Sequence, residues 1–186
     1  MNLKALFLSF IGKAPDRTER LHAYIDSFRK MGVKIGKNVD MYDVSIDSLF
    51  PFLVEIGDNC IITGGTKILA HDASLSIFTN QYKVGRVTIH DNVFIGMDAV
   101  IMPGVEIGPN AIIGANSVVT KTVPPNSVVA GAPARNICTL EEYLKKYEHG
   151  SCENTNLIIA DSPKLNSDHE IVKFKEHIRQ ISNDAP

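Results

Sequence analysis

His71 is the residue in this chain whose type and placement most invite chemistry. It stands in a stretch of regular repeats at a position where neighbouring repeats carry Asn, Asp or Gly, directly before the repeat is interrupted. Moving a group onto a hydroxyl requires a base, because an alcohol is a poor nucleophile until its proton is removed. An imidazole is suited to that task near neutral pH. The bland alternative is a corner histidine without function. Asp72 follows directly, but adjacent side chains in an extended segment point apart, which argues against Asp72 as the group that orients the ring. His90 begins a turn and reads as a solvated corner residue. Three histidines meeting at a subunit boundary would suit zinc. Only His71 and His90 lie in the repeats, with no third at a suitable interval, so no metal site is expected.

The elements that must position His71 are legible from the repeat itself. From Ile89 to Pro124 the chain recurs every six residues, with a large aliphatic at Ile89, Ile95, Ile101, Ile107, Ile113 and Val119. Two residues ahead stands a smaller side chain: Ala99, Val105, Ala111 and Ser117 before the last four of these. Residues two apart face the same side of a strand, so each hexad supplies one large and one small inward group. Asn92, Asp98, Gly104, Asn110 and Asn116 occupy the fourth position, where residues tolerant of positive φ let the chain bend. Three strands and three bends close a triangular coil, and coils stack in parallel at about 4.8 Å. A single hexad cannot bury its aliphatic alone, which disfavours an antiparallel meander.

Elsewhere the repeat opens at Ile35, is disturbed from Tyr42 to Val54 by Asp43, Asp47 and Pro51, and resumes at Ile56. A loop is expected at about residues 74–87, between His71 and the next in-phase aliphatic, Ile89. Pro15 to Met31 has helical spacing in Leu21, Tyr24, Ile25 and Phe28, which predicts a helix covering the first coil. Leu3–Ile11 is apolar but too short to span a bilayer and lacks a clear cleavage site, so it is read as packing onto the solenoid or a partner rather than contacting a membrane. Leu140 to Tyr147 should be a short helix capped by Thr139 and Glu142. The sequence turns polar after Gly150, with a last helix over about 169–181. The expected organisation is a helical cap at 1–34, a repeat domain at 35–135 and a helical extension at 136–186. With 186 residues, 44% of them hydrophobic, the chain can bury one substantial core. A net charge of -2 offers no basic excess for nucleic acid. The three cysteines, Cys60, Cys138 and Cys152, suggest neither a disulfide framework nor a zinc ribbon, and fit the cytoplasm. Cys60, at a small inward position, reads as a buried hydrophobe.

The hexads of the Ile-Gly-x-x-small-Val kind, the phrase Ile68-Leu69-Ala70-His71-Asp72, the run from Val118 to Pro125 and the exit Gly131-Ala132-Pro133-Ala134-Arg135 resemble the hexapeptide-repeat acyltransferases, and within them the sugar and polysaccharide O-acetyltransferases. The likeness covers about residues 35–137. It implies a mainly β fold, a left-handed parallel β-helix with three hexads per coil, and handedness rests on the resemblance alone. It further implies acetyl-CoA as donor and a homotrimer with active sites between subunits.

By the same resemblance His71 is the general base of a direct transfer, and the donor contacts are Phe94, Met97, Ala115, Thr120, Lys121 and Arg135. Lys121 and Arg135 suit phosphate, small Ala115 lets the donor approach the wall, and Met97 stands where some relatives have Ser. Asp43, Asp47 and the loop from Asn80 to Arg86, Asn80 foremost, are candidates for reaching sugar hydroxyls. The N-terminal region does not closely match the maltose and galactoside acetyltransferases, which favours a glycan precursor as acceptor. An amine, serine or antibiotic acceptor is the enzymatic alternative, and a non-catalytic β-helix scaffold the other.

Overall fold

A hexad of this kind leaves its aliphatic exposed unless a neighbouring coil covers it, and stacked parallel strands meet that need. The structure is a computed structural model that describes residues 16–147, 160 and 168–183. The expected apolar segment Leu3–Ile11, the polar stretch after Gly150 and Cys152 lie outside the described residues. The chain groups into two units, residues 24–155 and residues 1–23 with 156–186.

The larger unit is a three-faced coil of very short strands. Its first face stacks β1 (Lys34–Ile35), β4 (Val54–Ile56), β9 (Val87–Ile89) and β12 (Glu106–Ile107). The second stacks β2 (Asp40–Met41), β5 (Ile61–Ile62), β10 (Phe94–Ile95), β13 (Ile112–Ile113) and β15 (Ser127–Gly131). The third stacks β3 (Ser45–Ile46), β6 (Lys67–Ile68), β11 (Val100–Ile101) and β14 (Val118–Val119). All these pairings are parallel, and Phe94 opposite Ile112 and Val100 opposite Val118 give the expected eighteen-residue coil.

The inward ladder is the one the hexads predict. Ile62, Ile68, Ile95, Ile101, Ile107 and Ile113 have no exposed surface, and Cys60, Ala99 and Ala111 fill the small positions beside them. Each such aliphatic contributes about 1.5–3 kcal/mol on burial. The bends also follow: Asn92, Asp98, Asn110 and Asn116 have φ of 57 to 59°, and Gly104 has φ of 80°. Asn92 donates to Asn110 and Asn110 to Asn126 across successive coils, which gives the exposed amides of one corner partners.

Both departures from the repeat fall at one corner, between the third and first faces. The disturbance expected over 42–54 is confined to it: β2 and β3 keep the coil intact, with Val44 and Ile46 buried, and the surplus residues form a bend and a 3-10 turn at Pro51–Leu53. The second departure is a hairpin. The chain leaves at His71 in β7 (His71–Asp72), turns through α2 (Ser76–Thr79) and returns in antiparallel β8 (Lys83–Val84). The excursion therefore starts and ends three residues ahead of the range 74–87 expected for it, because His71 pairs with Val84 instead of bending at the corner. Gly85 closes it, donating to the Ala70 carbonyl at 2.9 Å; a Cβ there would stand 2.6 Å from the Gly104 nitrogen.

The helix α1 (Arg17–Lys30) begins with a reciprocal pair, the Glu19 amide donating to Asp16 and the Asp16 amide to Glu19. Its C-terminal half lies on the first coil as expected. Ile25 and Phe28 are buried, Tyr24 Oη donates to the Val44 carbonyl at 2.8 Å, and Arg29 Nη2 donates to the carbonyls of Ile35 and Gly36. At the other end the exit segment does not simply fade: β16 (Ala134–Thr139) folds back antiparallel on β15. The helix α3 (Leu140–Lys145) follows, with the Thr139–Glu142 capping box in place. In the smaller unit α4 (Asp168–Asn183) sets Ile171, Phe174 and Ile178, all half-buried, along one stripe. No helix of the described residues is long and apolar enough to cross a membrane.

Candidate active site

An aspartate followed closely by proline tends to form a local turn in which its carboxylate takes backbone amides. Asp47, four residues before Pro51, does this and more. Its Oδ1 accepts from the amides of Leu49 and Phe50, each at 2.9 Å. Its Oδ2 accepts from the amides of Ala70 at 2.8 Å and His71 at 2.9 Å, and lies 2.5 Å from His71 Nδ1. The side chain has no exposed surface, while the imidazole is 28% exposed. Asp47 thus does not face a ligand in the way expected of a sugar contact; its oxygens are committed to the protein, and it holds both the take-off of the hairpin and its first side chain.

Burial alone would raise the Asp47 carboxyl, yet the amide of Phe50, the imidazole of His71 and the amides of Ala70 and Leu49 outweigh it and hold the group below the usual carboxylate range. An ionised carboxylate is acceptor-only, so Nδ1 of His71 carries the proton and donates. That fixes the neutral ring with its basic lone pair on Nε2.

Asp72 is directed away from the imidazole. It pairs with Lys83 across the hairpin at 2.5 Å, and this ammonium, then the amide and hydroxyl of Ser74, draw its carboxyl down to about 2. His90, on the first face, pairs with Glu106 at 2.7 Å. Among the described residues no cluster of His, Cys, Asp or Glu could hold a metal ion. Burial pushes the Cys60 thiol up, in keeping with a sealed hydrophobe whose Sγ donates to the His90 carbonyl.

The other candidates divide between two corners. Thr120 and Lys121 share the corner of His71, two coils further on, and both are exposed. Met97 and Ala115 stack at the corner between the second and third faces, where the Asn116 amide donates to the Met97 carbonyl at 2.7 Å. Phe94 projects from the second face and is exposed, as is Met97. Gly96 keeps that stack tight, since a Cβ would come 2.5 Å from the Ala115 nitrogen. Arg135 lies exposed in β16, with Nη1 donating to the Ala134 carbonyl at 3.0 Å. Asp43 is an exposed bend residue at φ 48°, and Asn80 ends α2 at φ 56°. Neither is brought beside His71 by any hydrogen bond.

Two residues that the sequence reading did not single out, one of them within the loop from Asn80 to Arg86, border the imidazole. The ring of Phe50 stands 5.5 Å from it and that of Tyr82 6.2 Å. The sequence signal was position alone: Phe50 shares the first break with Tyr42 and Phe52, and Tyr82 shares the second with Phe78.

Residues 86–121 match the family described as bacterial transferase hexapeptide (six repeats). Over 82% of its length the chain is 39% identical to Protein CapG of Staphylococcus aureus, spanning 90% of that protein. It is 36% identical to the galactoside O-acetyltransferase of Escherichia coli over 62% of its own length and 58% of the relative's. Among solved structures it is similar to a hexapeptide-repeat acetyltransferase of Vibrio cholerae complexed with acetyl coenzyme A, with a TM-score of 0.54 and 32% identity over 59% of this chain and 61% of that one.

Proposed function

The chain belongs to the bacterial hexapeptide-repeat acyltransferases, and from that premise we propose that it transfers acetyl from acetyl-CoA to a hydroxyl of a sugar or glycan precursor, with His71 as general base. The observation that carries this reading is the Asp47–His71 pair: a half-exposed imidazole at the mouth of an excursion, held in the tautomer that leaves Nε2 basic. The acetyl donor is the family's acetyl-CoA, and the sugar hydroxyl is supported by likeness to a galactoside O-acetyltransferase.

The donor set suits that molecule. Lys121 and Arg135 are exposed cations for phosphate oxygens, Thr120 adds a hydroxyl, and Phe94 and Met97 are exposed apolar groups for a pantetheine arm beside the small wall residue Ala115. Bound there, acetyl-CoA supplies an acyl group already activated as a thioester. His71 Nε2 takes the proton of the acceptor hydroxyl as the oxygen attacks the thioester carbonyl; the C–S bond then breaks, and the CoA sulfur leaves with that proton, which returns the imidazole to its neutral form. The charge that grows on the imidazole is balanced by Asp47, which stays ionised while Nδ1 keeps its proton. No covalent intermediate on the protein is needed.

In this reading the coil is left-handed and the enzyme a cytoplasmic homotrimer. The separation of Met97 and Ala115 from the His71 corner supports a site completed between subunits. So do the exposed apolar groups Ile61 and Phe94 on the second face.

Thiol release measured across sugars, nucleotide sugars, amino acids and amino-sugar antibiotics tests the reading. Sugar acceptors should react and serine and amines should not. His71→Ala should keep the melting-temperature rise given by acetyl-CoA while turnover falls by about 10² to 10⁴. Undiminished turnover in that variant removes His71 from the role.

A further inference from the structure

Four rings stand in a row along the corner that carries His71. Phe52 and Phe50 have centroids 6.1 Å apart, Phe50 and the imidazole 5.5 Å, and the imidazole and Tyr82 6.2 Å. The planes are inclined by 83°, 76° and 52°, so the row offers edges and tilted faces and no parallel slot. Phe50 is partly covered, whereas Tyr82 is 53% exposed. Exposed Asn80 and Gln81 lead into Tyr82.

The charges within the two breaks that flank His71 are already matched, and Lys121, two coils further along the same corner, is the cation that the reading above gives to the donor. Asp47 is spent on four amides and the imidazole, Asp72 is paired with Lys83, and Lys34 and Arg86 both approach Glu55 at 3.3 and 3.8 Å. A zwitterionic acceptor such as a free amino acid would need a cation and an anion placed for it. A flat aromatic alcohol would be best served by an offset parallel stack. A pyranose differs from both: it is neutral, it has a face of C–H groups that settles on an aromatic ring, and its rim of hydroxyls matches side-chain amides.

Resting on the acetyl-transfer reading above, we infer that Tyr82 is a specificity-determining residue that holds a neutral pyranose acceptor beside His71 Nε2. The sugar's C–H face lies on the Tyr82 ring and its hydroxyls turn to Asn80 and Gln81. Phe50 acts as a positioning residue: it packs at a steep angle against the imidazole and keeps the ring turned toward the acceptor.

The test is steady-state kinetics of the full chain with methyl β-galactopyranoside and methyl α-glucopyranoside as acceptors. Tyr82→Ala should raise KM for the glycoside about tenfold, the scale of one aromatic contact, with KM for acetyl-CoA unchanged. Tyr82→Phe should stay near the parent, because the ring and not the phenol supplies the platform. Phe50→Leu should lower kcat with little change in either KM. Unchanged glycoside KM in Tyr82→Ala overturns the inference, as does a parent protein that acetylates L-serine or chloramphenicol and no glycoside. If no acceptor turns over, saturation-transfer NMR with the same two glycosides decides: contact with the parent that is lost in Tyr82→Ala supports the platform, and no contact with the parent overturns it. A parent protein whose melting temperature ignores acetyl-CoA instead removes the acetyl-transfer reading, and the inference with it.

Discussion

Asp47 combines two roles that pull on the same charge. Its carboxylate gathers amides from two separate breaks in the coil, and it fixes the proton on Nδ1 of His71. Asp47→Asn would turn an NH2 toward groups that need an acceptor and would favour the wrong tautomer. Turnover should then fall by up to about 10⁴, the scale seen when the acid of a Ser-His-Asp triad is so changed. Stability should change with pH in a specific direction. Because the folded-state pKa of Asp47 lies below its ordinary value of 3.8, its contribution is fully present above that value and is lost as pH falls through it toward the folded-state pKa. Urea midpoints of the parent should therefore drop on acidification below about pH 4 by an amount that Asp47→Asn lacks, although the variant is the less stable of the two at pH 7.

The hexad is the element that sets the geometry, and it was readable because it leaves no choice. A period of six with one large and one small inward residue yields strands, bends and stacking together, and the positive φ at Asn92, Asp98, Asn110 and Asn116 falls where residue type alone placed it. Replacing Ile101 by Ala should destabilise the fold by about 2–5 kcal/mol, measured by urea unfolding, since coils above and below cannot close over the gap. Asn110→Val should cost about 1–2 kcal/mol in the left-handed bend, beyond the loss of its contacts with Asn92 and Asn126.

The site itself was only half legible. His71 stood out because it replaced a bend residue. Asp47 stood out only as a possible sugar contact; its pairing with His71 did not, because Asp47 lies in the preceding coil, and their meeting depends on how both breaks fold at one corner. The local rule that neighbouring side chains diverge did hold for Asp72, which turns to Lys83. That Tyr82 of the expected acceptor loop stands beside His71 was not readable either: no period runs through the hairpin, so nothing in the sequence relates its return strand to its outgoing one.

At the level of the molecule, the outer surfaces of the three faces differ in character. The first is polar, with Lys34, Glu55, Thr88 and Glu106, whereas the second presents Ile61 and Phe94. The hairpin tip adds Ile77 and Phe78, 82% and 80% exposed. In the proposed trimer such groups are covered by neighbouring copies. Sedimentation should show a trimer for the parent and, for Ile61→Asp, a shift to smaller species with the coil intact by circular dichroism.

The register across the hairpin carries a last implication. Ile68 pairs with Ile101 on one side of the excursion as regularly as Ile101 pairs with Val119 where the coil is unbroken. The scaffold therefore does not sense how long the segment between Ala70 and Gly85 is. Segments of other lengths and compositions can be grafted there, or drift there over generations, and alter the surroundings of His71 while the framework proposed to hold the donor is inherited untouched.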